Sequence, residues 1–340
     1  MALYIGVAIL LFYFSVSRKN ILAFFSFIIL LILASIRGNE VGFDVISYAE
    51  SFEWHTYLLG DSYEIGWSFL CFFIDLFGGD FRCLLFISAF LTLFPLFVFF
   101  KRESVNANKS YLIYYCLCFY FICFNQMRQA IALSFFCVAW HFYFKRQKLK
   151  CYSFFILSVL FHYSAFFFAT LFLLYPFIKK IKLNVWIKLS IISLVIGPCI
   201  SPLITSVISI IGIDKYANYA DYGSHLDFNI VGVLFFNILR TVIYIFVIKN
   251  CVRVSTFQYI PLTFCGIVVS NLFNYLVGID RLVWYVTIMD TITFPYCIQQ
   301  CIYLRNRMIN SFVFVSFIFF TLIWGLLHNN QGVVPYIIFD

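Results

Sequence analysis

Charge is what this 340-residue chain has least of: 11% of its residues are Asp, Glu, Lys or Arg, against 64% hydrophobic and 22% aromatic. A soluble surface needs roughly a quarter of the chain charged, so a water-soluble globular or disordered protein is excluded. Acidic residues are scarcer than basic ones, 15 against 23. No Cys-x-x-Cys pair occurs, and none of the twelve cysteines falls in the polar stretches 37–64 or 213–228, where disulfides would be useful. Cys116 with Cys118, Cys297 with Cys301 and the five scattered histidines make only weak metal patterns, so the thiols read as structural filler and neither metal nor cofactor is expected. Alternating strands of about ten residues are absent, which excludes a membrane barrel. Soluble domains, low-complexity tracts and a clear internal repeat are missing too, and the missing repeat counts against a transporter.

What is present is a succession of apolar runs of about 16 to 27 residues, close to the roughly 20 that span a ~30 Å hydrocarbon core. Lipid leaves only helices to satisfy such a backbone once barrels are excluded. Lys and Arg collect in short cytoplasmic loops. The clusters Arg18-Lys19, Lys101-Arg102-Lys109, Lys145-Arg146-Lys148-Lys150, Lys179-Lys180-Lys182, Lys249-Arg253 and Arg305-Arg307 are therefore placed inside. With Lys188 on the same face, 17 of 23 basic residues become cytoplasmic, and Glu103 alone of the 15 acidic ones. Arg37, Arg82, Arg128, Lys215, Arg240 and Arg281 remain outside or within spans. The basic residues serve topology, and no nucleic-acid partner is expected.

Spans are expected near 2–17, 21–36, 83–100, 110–126, 128–144, 186–212, 229–248, 257–277, 283–303 and 309–327, with both termini facing outward. Parity assigns 64–80 to a short helix on the outer surface. Residues 151–178 lie between two basic clusters and are too few for two full crossings at ~1.5 Å per residue, so they predict a shortened hairpin with its apex near His162. Gly197-Pro198 and Pro202 predict a kink in the run 186–212. The fold class is thus all-α: a single integral membrane domain over residues 1–340, with about 12 membrane segments (range 10–14).

Four outer-half arginines carry the functional question, because guanidinium groups bind phosphate through paired, planar hydrogen bonds. For Arg37 and Arg281, at span ends, snorkelling to the interface is the alternative. Arg240 lies about 16 Å into its span, where an arginine costs roughly 2.5 to 3.5 kcal/mol and must face protein or water. Asp290, at a similar depth in another helix, is its expected partner. In FNQMRQAIALSFF, Asn125 and Arg128 share a helix face at the outer mouth, and Ala130 and Ala132 permit close packing. His162 occupies the hairpin apex in LFHYSAFF, where it reads either as a satisfied core histidine or as a base with an unperturbed pKa of about 6.5. His141, near the cytoplasmic end of its span, reads as structural. Tyr216, Tyr219 and Tyr222 recur at three-residue steps in the loop 214–228, either as sugar-stacking rings or as interface markers.

Several of these residues fall into ordered motifs. Arg37-x4-Gly42-x-Asp44-x3-Tyr48-x3-Phe52 resembles the first outer loop of the EpsG-like family, which includes Wzy-type O-antigen and exopolysaccharide polymerases. Glu64-x-Gly66-Trp67 is similar to that family's Glu-Pro-Gly-aromatic element, with Ile65 where proline is usual. Asn125-x-x-Arg128-Gln129-x-x-Ala132 matches an Asn-x-x-Arg-Gln block, His162-x-Ser164-Ala165 a His-x-Ser-Ala block, and Arg281-x-x-x-Tyr285 resembles a late Arg/Tyr segment. Residues 186–260 match no motif.

The resemblance implies a multi-pass transferase of the bacterial inner membrane with its site facing the periplasm. It would join undecaprenyl-pyrophosphate-linked glycans, without a cofactor, beside a flippase and a chain-length regulator. It also implies His162, Asp44 and Arg128 as catalytic residues, with Arg37, Tyr48, Glu64, Asn125, Gln129, Arg281 and Tyr285 binding substrate; Arg240 and Tyr219, outside every motif, are expected to bind substrate on their own chemistry alone. Arg37, Arg128 and Arg281 are expected to gather near His162 in one outward recess. A lipid-linked oligosaccharide flippase and a membrane acyltransferase are the competing classes.

Overall fold

Helices make up 80% of the chain in a computed structural model, which describes residues 1–58, 63–211, 230–251, 256–276, 280–301 and 303–338. No β-strand occurs among the described residues, only the isolated bridges Arg37–Ile338 and Cys251–Cys301. The described helices, in chain order, are α1 Ala2–Val16, α2 Asn20–Ser35, α3 Val45–Glu53, α4 Ile65–Leu76, α5 Phe81–Glu103, α6 Ala107–Cys116, α7 Phe119–Asn125, α8 Met127–Phe144, α9 Lys148–Phe161, α10 Ala169–Ile178, α11 Leu183–Ile211, α12 Ile230–Lys249, α13 Ile260–Phe273, α14 Trp284–Thr287, α15 Asp290–Gln299 and α16 Leu304–Leu327.

Among the described residues, four stretches are long and apolar enough to cross a bilayer by themselves: Phe81–Glu103, Leu183–Ile200, Val231–Lys249 and Leu304–Leu327. That corrects the expected count of about 12, and the shortfall has identifiable causes. Helices α1 and α2, with 15 and 16 residues, reach only about 22 to 24 Å at helical rise. The expected span 110–126 is cut by Cys118, which takes a left-handed φ of 65°, into the short helices α6 and α7. The expected span 283–303 is divided between a 3-10 turn at Asp280–Val283, α14 and α15. The carbonyl of Ile288 there accepts both the Thr291 amide and the Thr291 hydroxyl, tightening the backbone. Helix α13 has 14 residues and is buried along most of its length.

Other expectations hold. Helix α4 has 12 residues, about 18 Å, too short to cross. Helix α9 ends where His162 turns extended (φ −158°, ψ 114°), and a 3-10 turn over Tyr163–Phe168 follows. Ten residues beyond His162, Phe172 stacks on Trp140 at 4.3 Å and packs edge-on to Phe155 of α9, so the chain has turned back as expected for a hairpin. The kink expected in 186–212 does not end α11, which runs unbroken over 29 residues. Gly197 serves closeness instead: a Cβ there would stand 1.9 Å from the carbonyl oxygen of Asn271, so only glycine lets α11 lie against α13.

The chain divides into two compact units, Met1–Phe172 with Ile318–Asp340, and Leu173–Phe317. In the first, α8 is the central element. Fourteen of its residues from Met127 to His141 are buried, so it is shielded by protein and needs less apolarity than a lipid-facing helix. The small residues Ala130 and Ala132 let it pack between α5 and α9. Ser134 donates to the Leu91 carbonyl at 3.1 Å, and Ser158 of α9 donates to the Ala132 carbonyl at 2.7 Å. At the basic end of this unit, Glu103 pairs with His141. At the other end, the final segment folds over the loop that follows α2. Gly38 donates to Ile337 at 2.8 Å, Gly42 to Gly332 at 2.9 Å, and the hydroxyls of Tyr4 and Tyr336 donate to Val333 and Leu33.

In the second unit, α11 packs on α13 and α12, with Trp186 stacked on Phe264 and Tyr244 against Phe294. Polar side chains meet at the level of Asn271. Its amide donates to the Ser190 carbonyl, the Ser193 hydroxyl and the Thr241 hydroxyl, each at 3.1 Å.

Candidate functional site

Glu64 caps the N-terminus of α4 with extended backbone (φ −68°, ψ 148°), and its amide-rich helix end favours a negative side chain. Gly66, the second residue of the helix, brings α4 against the end of α9: a Cβ at that position would stand 2.8 Å from the Leu160 carbonyl oxygen. The close approach puts Glu64 beside His162, two residues beyond Leu160. Its Oε1 lies 2.6 Å from His162 Nδ1. Its Oε2 accepts Arg128 Nη1, from the first turn of α8. One carboxylate therefore holds a guanidinium and an imidazole at once.

Aromatic rings shape the remainder. Arg128 Nε donates to the Tyr48 hydroxyl at 3.2 Å, and the guanidinium sits 4.8 Å from the Tyr63 ring centre and 5.7 Å from that of Tyr48. Tyr48 rests on Trp67 at 5.1 Å, which explains the aromatic residue after Gly66. The Glu64 side chain is 7% exposed, while those of Arg128 and His162 are 23% and 27% exposed, so the bridge is sealed and its two partners, guanidinium and imidazole, reach solvent.

Electrostatics fix the protonation states. Burial would raise the Glu64 carboxyl, but the His162 hydrogen bond and the Arg128 charge outweigh it and bring the pKa down to about 2. The carboxylate is thus ionised at any physiological pH and accepts the Nδ1 hydrogen of His162. In the neutral imidazole that bond places the hydrogen on Nδ1 and the lone pair on Nε2, and Nε2 makes no hydrogen bond among the described residues. Burial pushes the Tyr48 phenol up, with Arg128 opposing, so Tyr48 stays a neutral acceptor for Arg128 Nε. Arg128 keeps Nη2 without a hydrogen bond among the described residues. The arrangement offers an oriented base beside a free guanidinium edge, suited to taking a proton near a developing anion.

The first-loop motif supports this site from below. Gly42 has φ 118°, and a Cβ would stand 2.8 Å from the Phe124 carbonyl oxygen, so only glycine fits there. Its neighbour Phe43 donates to Asn125 Oδ1 at 2.6 Å, while Asn125 Nδ2 donates to the Gln331 carbonyl at 2.7 Å and its Oε1 at 3.0 Å. Asp44 Oδ2 accepts Gln126 Nε2 at 3.3 Å. The loop is thereby fastened to the turn just before Arg128.

A family model described as the EpsG family matches residues 20–338. The chain belongs to the EpsG family. Its members are Wzy-type polymerase-like, polysaccharide polymerase-like membrane proteins, and the resemblance drawn from the five motifs is shown over nearly the whole chain. No curated protein and no solved structure matches.

Within this EpsG-family chain, the expected site residues separate. Glu64, Arg128, His162 and Tyr48 come together, with Asp44 in the adjoining loop and Asn125 at the end of α7 that fastens it. Gln129 is 2% exposed and Asn125 1%, both inside the protein. Arg37 does not join the group. It is 0% exposed, stacks 4.5 Å from the Phe124 ring centre, and donates to the carbonyls of Ala34 and Cys123. Its guanidinium closes the C-terminal ends of α2 and α7, where free carbonyls need donors, and presents no surface to a ligand.

Arg240, Arg281 and Tyr285 belong to the second unit. Arg281 is partly buried in the turn before α14, and Tyr285 is 0% exposed. Arg240 forms no ion pair with Asp290 within 4.0 Å; its Nη2 reaches Asn271 Oδ1 at 3.4 Å and Asn237 Oδ1 at 3.5 Å. Tyr219 and the tyrosine loop lie outside the described residues, as does any test of their stacking. Two contributors were not anticipated: Tyr63, whose signal was its place directly before Glu64, and Gln331, which lies 206 residues from Asn125 and has no local signal. Among the described residues no group of three His, Cys, Asp or Glu side chains is placed to hold a metal ion.

Proposed function

We propose that this EpsG-family protein is a membrane-embedded glycosyltransferase of the Wzy type. It would polymerise undecaprenyl-pyrophosphate-linked repeat units at the periplasmic face of the inner membrane, the O-antigen being the expected product. The observation that carries the reading is the single carboxylate of Glu64 shared between His162 and Arg128, which leaves Nε2 and Nη2 available on partly exposed side chains.

In the reaction, a hydroxyl of the acceptor glycan gives its proton to His162 Nε2 as its oxygen attacks the anomeric carbon of the donor's first sugar. The bond from that carbon to the pyrophosphate oxygen breaks, and undecaprenyl pyrophosphate leaves with the electron pair. Arg128 Nη2 stabilises the leaving charge. Glu64 and Tyr48 hold the imidazole and the guanidinium rather than touch substrate; Tyr63 supplies ring surface beside Arg128, and buried Trp67 backs Tyr48. Arg37 has no part in this scheme except to hold the loop.

Arg128→Ala in an otherwise intact strain tests it. The expected result is surface lipopolysaccharide capped with a single repeat unit, with the protein still in the membrane. A normal ladder of long chains overturns the assignment. Complete loss of capped material marks a flippase, and an intact ladder with altered acylation marks an acyltransferase.

A further inference from the structure

Asn125 is a motif residue expected to bind substrate, yet it is 1% exposed and its amide is occupied by protein. Its Oδ1 accepts the Phe43 amide at 2.6 Å, and its Nδ2 donates to the backbone carbonyl and to Oε1 of Gln331, at 2.7 and 3.0 Å. Its two shortest donated bonds thus go to one residue, in the segment 329–338 beyond α16.

Other residues fix that segment in place. Tyr4 donates to the Val333 carbonyl at 2.8 Å and Tyr336 to that of Leu33 at 2.7 Å, Gly38 donates to Ile337 at 2.8 Å, and Asn329 exchanges two bonds with Val334, each at 2.9 Å. The Gln331 side chain adds nothing to this attachment, because Asn125 is its one hydrogen-bond partner among the described residues.

What the segment reaches is the pair Tyr48 and Arg128. Gly332, next to Gln331, accepts the Gly42 amide at 2.9 Å, and α3, which carries Tyr48, starts three residues later at Val45. Gly332 has φ 63°, and a Cβ there would stand 2.8 Å from the Phe43 ring, so the segment lies directly on the loop. On the other branch, Asn125 ends α7, and only Gln126 separates it from α8, whose second residue is Arg128. Asp44 accepts Gln126 Nε2 at 3.3 Å and joins the branches. They meet where Arg128 Nε donates to the Tyr48 hydroxyl at 3.2 Å. A shift of the segment would move both branches, because close-packed interiors transmit strain.

We propose that segment 329–338 is a positioning strap for the Glu64, His162 and Arg128 site, with Gln331 as its positioning residue: through Asn125 it sets where the Arg128 guanidinium stands. Asn125 is then a positioning residue as well, and touches no substrate. The reaction served rests on the polymerase reading above; the mechanical link does not.

The test assays full-length protein in lipid nanodiscs with undecaprenyl-pyrophosphate-linked repeat units for kcat and KM, alongside thermal melting and backbone hydrogen exchange. Gln331→Met keeps the side-chain length and removes the acceptor. It should lower kcat about fivefold, the loss of one neutral hydrogen bond, with KM and melting temperature unchanged and faster exchange at residues 42–44. Gln331→Glu keeps the acceptor and should retain most of the activity. Asn125→Asp removes both bonds to Gln331 but keeps the one to Phe43, and should cost about 10²-fold in kcat, the effect of misplacing a reacting group by about 1 Å. Tyr336→Phe loosens the strap away from Asn125 and should lower the melting temperature at constant kcat. Wild-type kcat in both Gln331→Met and Asn125→Asp overturns the proposal, and so do losses that merely follow the melting temperature. Normal long chains from Arg128→Ala, with faster exchange at 42–44 in Gln331→Met, sink the polymerase site and leave the strap. Single-repeat product from Arg128→Ala, with wild-type kcat in both strap variants, sinks the strap alone.

Discussion

Glutamate pairs with histidine at both ends of the first unit, and the two pairs differ mainly in what surrounds them. Glu103 and His141 join the last turn of α5 to the last turn of α8, with side chains 8% and 6% exposed. Glu64 and His162 join the start of α4 to the break after α9; the glutamate is as deeply buried, at 7%, but the imidazole is 27% exposed and the same carboxylate also holds Arg128. A carboxylate orients an imidazole in either setting. Only where the second ring nitrogen faces space can a substrate hydroxyl reach it. The first pair fastens two helix ends near the basic cluster; the second has a side left to work with.

The largest expected effect separates them directly. His162→Ala should lower polymerisation by about 10² to 10⁴, the range of a general base, while leaving the amount of folded protein near normal. His141→Ala should do the reverse, taking the imidazole from a buried carboxylate and lowering protein abundance while activity per folded molecule holds. Equal losses of activity per molecule in both would erase the distinction. Complementation assays normalised to membrane protein measure it.

Gly66→Ala should come next. The added methyl meets the Leu160 backbone and pushes α4 from the end of α9, so Glu64 and His162 separate. Misplacement of about 1 Å at a reacting group costs roughly 10²-fold, so activity should fall far more than stability. An active Gly66→Ala protein would show that the 2.6 Å contact is not needed for function.

A smaller effect follows from the Glu64 carboxyl. Its folded pKa of about 2 lies below the ordinary value near 4.5, so its stabilisation is complete above pH 4.5 and is lost as pH falls toward 2. Thermal melting of the detergent-solubilised protein should therefore be flat in this contribution from pH 5 upward and decline below about 4.5. The Glu64→Gln variant should lack that part of the decline.

The smallest concerns Ile65, where the family motif has proline. Ile65 is the first residue of α4, it is exposed, and its amide donates no helix hydrogen bond. Glu64 before it is already in the extended region that proline requires of its predecessor. Ile65→Pro should leave activity unchanged and stabilise by about 0.4 to 1 kcal/mol, by restricting the unfolded chain. A loss of activity would show that the local turn differs from the one seen.

Much of this was legible in order along the chain. The break at His162 followed from charge parity, because too few residues separated two basic clusters. The short helix α4 followed from the same count. The pairing of Glu64 with His162 was not readable: their spacing is 98 residues, and both sat in motifs whose functions looked separate. Arg37 misled for the opposite reason. An arginine at a span end looks the same in sequence whether it faces solvent or turns back onto the carbonyls of Ala34 and Cys123. The span count erred because hydropathy measures apolarity, whereas α6, α7, α14 and α15 are cut by backbone turns that apolar residues do not announce.

By itself the sequence determined that this chain lives in a bilayer, that it is helical, which of its loops are basic, and that it carries the EpsG motifs. Composition and local spacing set those properties, and both act over a few residues. Tertiary structure alone decided which charges neutralise one another. It gave one carboxylate two partners, sealed one imidazole and left another partly exposed, and left Arg240 among amides. Burial and distance set the worth of a charge in a low-dielectric interior, and neither exists until the helices pack.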